Sequence, residues 1–369
     1  MRVACPRREL YDAVSLAGAP ATGRPAALPI FQNLLFEADD SQVRLVGCDG
    51  EMWVERRLPA MVESGGSLAV GAKLFHDILS SLPDGELNIE QPNGPSLKLA
   101  LSNSEYRVVG MMPDDFPGIP NVEASATLRI RAGDFAKMVE SVGFAVAKEN
   151  QPRAQLTGVL FVYDGANLRA VATDTHRLAV RTEAYPGIGS NVTAIVPDRA
   201  LQVIRRLPVP ADGELTLVFG EGRLLVESDG ARVVSQLISG DFPPYERVIP
   251  TEHTRRWLAD KESLADALKR AGVLARESAQ RVVLKSDGQV ATLVTRSEGI
   301  GEGKEEISIV NEGEDIEIAF NGRYLLDAIG PIEGQGVALE MIESDRAAVV
   351  RPADEGQNYF CVIMPMALI

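Results

Sequence analysis

Residues 160–174 read LFVYDGANLRAVATD, and residues 35–49 read LFEADDSQVRLVGCD. The two stretches match in step at an offset of 125, pairing Leu35 with Leu160, Phe36 with Phe161, Asp39 with Asp164, Arg44 with Arg169 and Asp49 with Asp174. Both alternate like strands around a turn, and a third copy keeps the turn at Asp287-Gly288, opposite Asp164-Gly165. A period this long is that of a whole domain, far beyond the short repeats of solenoids.

The helical segments recur in step with these hairpins. Apolar residues at i, i+3, i+4 and i+7 occur at Leu10, Ala13, Val14, Ala17, at Phe135, Met138, Val139, Val142, and at Leu264, Ala267, Leu268, Ala271. A second helix of the same pattern follows in each copy, at Phe75, Ile78, Leu79, Leu82, at Ala200, Val203, Ile204, Leu207, and at Leu325, Ala328, Ile329, Ile332. The region between holds strand-like alternation broken by turn residues, and further strands follow, such as Glu214 to Phe219 and Arg223 to Ser228 around Gly220-Glu221-Gly222. The first two copies leave through matching exits, Asp115-Phe116-Pro117 and Asp241-Phe242-Pro243, with Pro120 and Pro250 just beyond. The expected fold is α+β: three tandem copies of one unit of two helices on antiparallel sheets, spanning 1–122, 126–250 and 251–369.

Composition narrows the function. With 52 acidic against 37 basic residues the formal net charge is −15, so contact with nucleic acid needs a local basic patch. Cys5, Cys48 and Cys361 are far apart and in no C-x-x-C spacing, which suggests neither a disulfide framework nor a zinc site and fits a reducing cytoplasm. The start, Met1 to Arg8, leads into a helix-period segment, and no apolar run is long enough to span a bilayer, so a secreted or membrane-spanning protein is not expected.

Catalytic signals are thin. Asp174-Thr175-His176-Arg177 places a carboxylate and an imidazole two positions apart, and a metal-dependent hydrolase centred there is one alternative. His76 and His253 lie in other copies, with no H-E-x-x-H spacing. Gly299-Ile300-Gly301-Glu302-Gly303 lacks the setting of a phosphate loop and reads as a hairpin loop. A monomeric scaffold that never meets DNA is the second alternative. Against it, the six helical segments together carry a net charge of +3, leaving −18 on the remainder. A mildly positive helical layer inside an acidic shell fits a protein that admits duplex DNA on one side only.

Five segments resemble one family, the bacterial DNA polymerase III β subunits or sliding clamps, over essentially the full length. They are Gly23-Arg24-Pro25-Ala26-Ala27-Leu28-Pro29-Ile30, Ala172-Thr173-Asp174-Thr175-His176-Arg177-Leu178-Ala179, Asp241-Phe242-Pro243-Pro244-Tyr245, Phe320-Asn321-Gly322-Arg323-Tyr324 and Val362-Ile363-Met364-Pro365-Met366-Ala367-Leu368. The resemblance implies a non-catalytic processivity factor without cofactor or metal: a crescent subunit that forms half of a six-domain ring. Two such subunits, a head-to-tail homodimer, would encircle double-stranded DNA, with Tyr106 packing against Val273 and Leu274 of the other copy.

It further implies backbone contacts to DNA from Arg24, Arg153 and Arg199, and an apolar pocket for partner peptides. The matching pocket positions are Leu156, Thr173, Thr175, His176, Arg177, Leu178, Pro243, Val248, Tyr324, Val362, Met364, Pro365 and Met366. Implied partners are the DNA polymerase III catalytic subunit, a separate clamp loader and other clamp-binding-motif proteins. The chain departs from the usual pattern at Thr175, where glycine is common, at Ala367, where arginine is usual, at Asp198, which is often basic, and in the added Ile369.

Overall fold

The computed structural model describes residues 1–23, 28–185, 187–276, 279–297, 299–354 and 356–368. Its helices are α1 (Arg7–Ala17), α2 (Ala19–Gly23), α3 (Ala72–Ser81), α4 (Ala132–Gly143), α5 (Asp198–Ile204), α6 (Lys261–Ala275) and α7 (Gly322–Ile329). Six of these are the expected pairs. α2 is an addition of five residues, and Pro20 fits it because the first turn of a helix has no use for an N–H there. Caps fix two of the starts: Asp260 accepts the Ser263 N–H at 2.8 Å ahead of α6, and Asn321 accepts those of Arg323 and Tyr324 ahead of α7.

The helical period places the same positions inward in every copy. Leu10, Ala13, Val14 and Ala17 are buried, as are their counterparts on α4 and α6. In the second set the last apolar residue of each, Leu82, Leu207 and Ile332, falls past the helix end yet is still buried. The apolar period therefore outruns the helix by part of a turn, because burial selects the residue while the hydrogen-bond ladder stops earlier.

Two compact units emerge, one formed by Met1–Phe135, Gly187–Ser190 and Arg199–Leu237, the other by Ala136–Pro186, Asn191–Asp198 and Ile238–Ile369. The first contains a 14-stranded sheet and the second a 12-stranded sheet, and every pairing within them is antiparallel. The strands of the middle copy divide between the two. Ala126–Arg131, Glu214–Gly220, Arg223–Ser228 and Ala231–Gln236 extend the first sheet, joined to it where Ala231–Gln236 pairs with Met52–Pro59. Gly158–Tyr163, Asn167–Thr173, Arg177–Ala184 and Val192–Pro197 extend the second, joined where Arg177–Ala184 pairs with Tyr359–Ile363. Each joint closes a strand edge that a lone copy would leave open to other chains.

The first unit holds a continuous core that includes Leu10, Phe36, Leu45, Phe75, Leu79 and Leu99, with the Phe36 and Phe75 rings edge to face at 6.1 Å. In the second unit, a smaller cluster of Leu160, Val171, Leu178, Val180, Tyr245, Val349 and Val362 lies at the joint. The expected turns are present: Gly165 and Gly288 take left-handed φ values of 95° and 58°. The glycine-rich stretch from Gly299 closes a hairpin whose second strand already begins at Gly301. Among the described residues no helix is long and apolar enough to cross a membrane.

Candidate functional site

The site grows from one tight turn. Strands Asn167–Thr173 and Arg177–Ala184 pair down to Thr173 opposite Leu178, and residues 174–176 connect them. Asp174 Oδ1 accepts the backbone N–H groups of His176 and Arg177, both at 3.0 Å, which satisfies donors the turn would otherwise leave unpaired. The Thr173 hydroxyl donates to the Arg177 carbonyl at 2.7 Å and accepts from the Thr175 N–H at 3.1 Å. Held in this way, Thr175 adopts φ 78°, the left-handed region in which a β-branched residue is an outlier. At the same turn in the first copy stands Gly50, with φ 89° and Asp49 accepting from Glu51 and Met52.

Arg177 secures the turn from beneath. Its guanidinium donates to Asp174 Oδ2 at 3.0 Å, to Asp327 Oδ2 on α7 at 2.7 Å and to the carbonyl of Phe144. It also lies 4.2 Å above the Tyr324 ring and 5.1 Å above that of Phe144. Burial works against its charge, but the hydrogen bond to Asp327 and the charge of Asp174 outweigh that cost and hold the guanidinium above its ordinary pKa. Both oxygens of Asp174 are thus committed to turn and ion pair. The His176 ring stacks on Tyr324 at 6.5 Å.

Above this base lies a cavity of about 350 Å³. Ten of the positions matched to the peptide pocket line it: Leu156, Thr173, Thr175, His176, Arg177, Leu178, Pro243, Val248, Val362 and Met364. Leu156, Leu178 and Val362 are buried and form the floor, whereas Val248 is 56 % and Met364 46 % exposed. Tyr324, Pro365 and Met366 are not in the lining. Tyr324 supports His176 and Arg177, and the tail is pinned by N–H donation from Met364 to the His176 carbonyl and from Met366 to that of Ala319.

Pro244, Tyr245, Arg247 and Arg153 complete the walls. The first two could have been found from the Asp241-Phe242-Pro243-Pro244-Tyr245 motif itself, while nothing local marks Arg247. An apolar hollow with three arginines among its lining residues, of which Arg177 is already ion-paired, suits apolar side chains on a segment carrying an acidic neighbour.

The other expected site residues are dispersed. Arg153, assigned to DNA by resemblance, lines the cavity. Arg199 is the second residue of α5 and is paired with Asp49 and with Glu51, the latter at 2.7 Å. Arg24 lies outside the described residues, as does Ile369. Tyr106, 40 % exposed, sits on strand Ser104–Met111; Val273, 68 % exposed, and Leu274 sit on α6. Among the described residues no three His, Cys, Asp or Glu side chains gather as metal ligands.

Comparison with known proteins agrees with this layout. Family profiles for the DNA polymerase III beta subunit match in chain order: the N-terminal domain over residues 1–120, the central domain over 129–244 and the C-terminal domain over 246–367. The chain is 28 % identical to the beta sliding clamp of Synechocystis sp. over 395 aligned positions that cover all of both chains. It is likewise 28 % identical to that of Pseudomonas aeruginosa, covering 94 % of each. The crystal structure of the Pseudomonas aeruginosa DNA polymerase III subunit beta superposes with a TM-score of 0.91 at 28 % identity over the full length of both chains. The Bacillus subtilis sliding clamp shares the fold, with a TM-score of 0.93 at 23 % identity and full coverage of both. Three consecutive domain profiles that together span nearly the whole sequence place this chain in the DNA polymerase III β-subunit family, the bacterial beta sliding clamps.

Proposed function

We propose that two copies of this chain close head to tail into a six-domain ring around duplex DNA, built from clamp domains at 1–122, 126–250 and 251–369. The ring slides without reading sequence and tethers its partners through the cavity at Thr173–Arg177. The observation that carries this reading is a pair of half-open strands. Ser104–Met111 pairs with Ser96–Leu101 on one side, but on the other it meets a neighbour, among the described residues, only at Gly110 and Met111. Gly301–Glu312 pairs with Val290–Ser297 through Ser308 and gains a second neighbour only from Ile309 onward. Each unit therefore offers a free edge, with Tyr106 on one and Val273 and Leu274 beside the other, where Leu274 lies against Gly303. Pairing of one subunit's edge with the other edge of its partner continues the sheets and closes after two copies.

Capture of DNA is then topological, with Arg24, Arg153 and Arg199 as the proposed backbone contacts. Arg199 already satisfies two carboxylates, so its free charge is reduced. Tethering keeps a polymerase at high local concentration near the primer end, which raises processivity. The partners are the polymerase III catalytic subunit, the clamp loader and other proteins carrying a clamp-binding peptide. The role is non-catalytic, cofactor-free and cytoplasmic.

The first test is solution mass: the dimer gives twice 39.7 kDa, a scaffold monomer 39.7 kDa. The second uses nicked circular DNA. Loaded protein should persist at high salt on the circle and leave once the circle is cut. Equal loss from both forms would point to binding by counterion release and sink the ring.

A further inference from the structure

We propose that Thr175 determines which apolar anchors the cavity accepts, by acting as a fixed wall that bars the bulkiest side chains; this rests on the cavity being the peptide site. The turn itself has no need of this side chain. In the first copy the same Asp-capped turn is made by Gly50 at φ 89°, so a glycine suffices to build it. A threonine at φ 78° carries conformational strain that the fold could shed by losing Cβ, and strain retained on the wall of a binding cavity points to a use there.

The wall is also rigid. Thr173 holds the Thr175 N–H, Asp174 holds the next two N–H groups, and Arg177 ties the turn to Asp327 and to the Phe144 carbonyl. The turn cannot swing aside when a ligand enters without breaking these bonds. The Thr175 side chain thus subtracts space from the cavity at a constant place, in a lining that also includes side chains able to adapt, such as Met364. Fixed bulk rejects by clash, whereas a flexible lining only follows the ligand's shape.

The experiment uses full-length protein and two fluorescein-labelled hexapeptides, identical except for a terminal Leu or Phe anchor, titrated by anisotropy. Thr175→Gly removes Cβ, the methyl and the hydroxyl and should shift the affinity ratio at least roughly tenfold toward the Phe probe, since about one methylene of pocket volume already provides that selectivity. Thr175→Ser, which keeps the hydroxyl and drops the methyl, should fall between. Thr175→Gly should also raise the unfolding midpoint, by about 2–4 °C for each kcal/mol of strain released in a unit of this size. Met364→Asp should abolish binding of both probes. An unchanged Leu/Phe ratio in Thr175→Gly, with Met364→Asp still inactive, overturns this inference alone. Binding of both probes that survives Met364→Asp overturns the cavity reading and this inference with it.

Discussion

The chain builds the same joint twice, and among the described residues the second opens into a cavity while the first is packed with aromatic side chains. In the first unit Met52–Pro59 meets Ala231–Gln236, and in the second Arg177–Ala184 meets Tyr359–Ile363. Around the first joint Phe31, Cys48, Trp53 and Val234 pack with Phe116, Ile119, Val122 and Leu225. Moving 125 residues along the chain turns Phe31 into Leu156, Cys48 into Thr173 and Trp53 into Leu178. The exit residues Phe116, Ile119 and Val122 become Phe242, Tyr245 and Val248 at 126. The backbone plan is conserved between joints while two aromatic side chains are replaced by Leu156 and Leu178, both of which line the cavity, and Ile119 is replaced by the larger Tyr245 at its wall. The proposed binding site is a core position left unfilled, without any special fold element.

If side-chain volume is the whole difference, exchanging it should exchange the behaviour. Leu156→Phe with Leu178→Trp rebuilds the first joint inside the second, and labelled-peptide affinity should fall roughly 100-fold, equal to about 2.7 kcal/mol. Overpacking should cost about 1–3 kcal/mol of stability, read by urea unfolding. Retained peptide binding in a folded double variant would break the comparison outright. The converse change, Trp53→Leu, removes most of an indole that is 7 % exposed and whose Nε1 has no partner among the described residues. It should destabilise by about 2 kcal/mol, less than a full Trp→Ala truncation, because leucine refills part of the space and no buried N–H remains.

Sequence periodicity displays the repeat well and the joints poorly. The helix pairs were legible because the same apolar positions are buried in each copy, which depends only on contacts local in the chain. The division of the middle copy between two sheets was not, since pairing Val54 with Val233 or Val180 with Phe360 links residues far apart, and alternation alone does not name a partner. The cavity positions came from family resemblance. From composition and spacing alone, Met364 and Met366 read better as a terminal strand filling its own core than as pocket residues. Arg199 shows the limit of reading charge in one dimension: it looks like a free cation beside Asp198, and its carboxylate partners lie at positions 49 and 51. The strain at Thr175 is invisible in a sequence until its turn is aligned with the one that holds Gly50.

That last pair gives the smallest and sharpest test. Gly50 and Thr175 share a turn, a capping aspartate and a left-handed backbone, so Gly50→Thr asks what the side chain costs when it meets the Phe31 ring instead of the cavity. A Cβ at Gly50 would stand 3.4 Å from two atoms of the Phe31 ring, within contact but without room for further atoms on that side. The backbone contribution should be about 1 kcal/mol, the ordinary penalty for a non-glycine residue in this region, with up to about 1 kcal/mol more from displacing Phe31. Urea unfolding would read the total. If Gly50→Thr proves neutral, Thr175 carries no strain either, and its place in the cavity wall needs no explanation beyond drift; a loss of 1–2 kcal/mol leaves the second joint holding a residue that the fold would be more stable without.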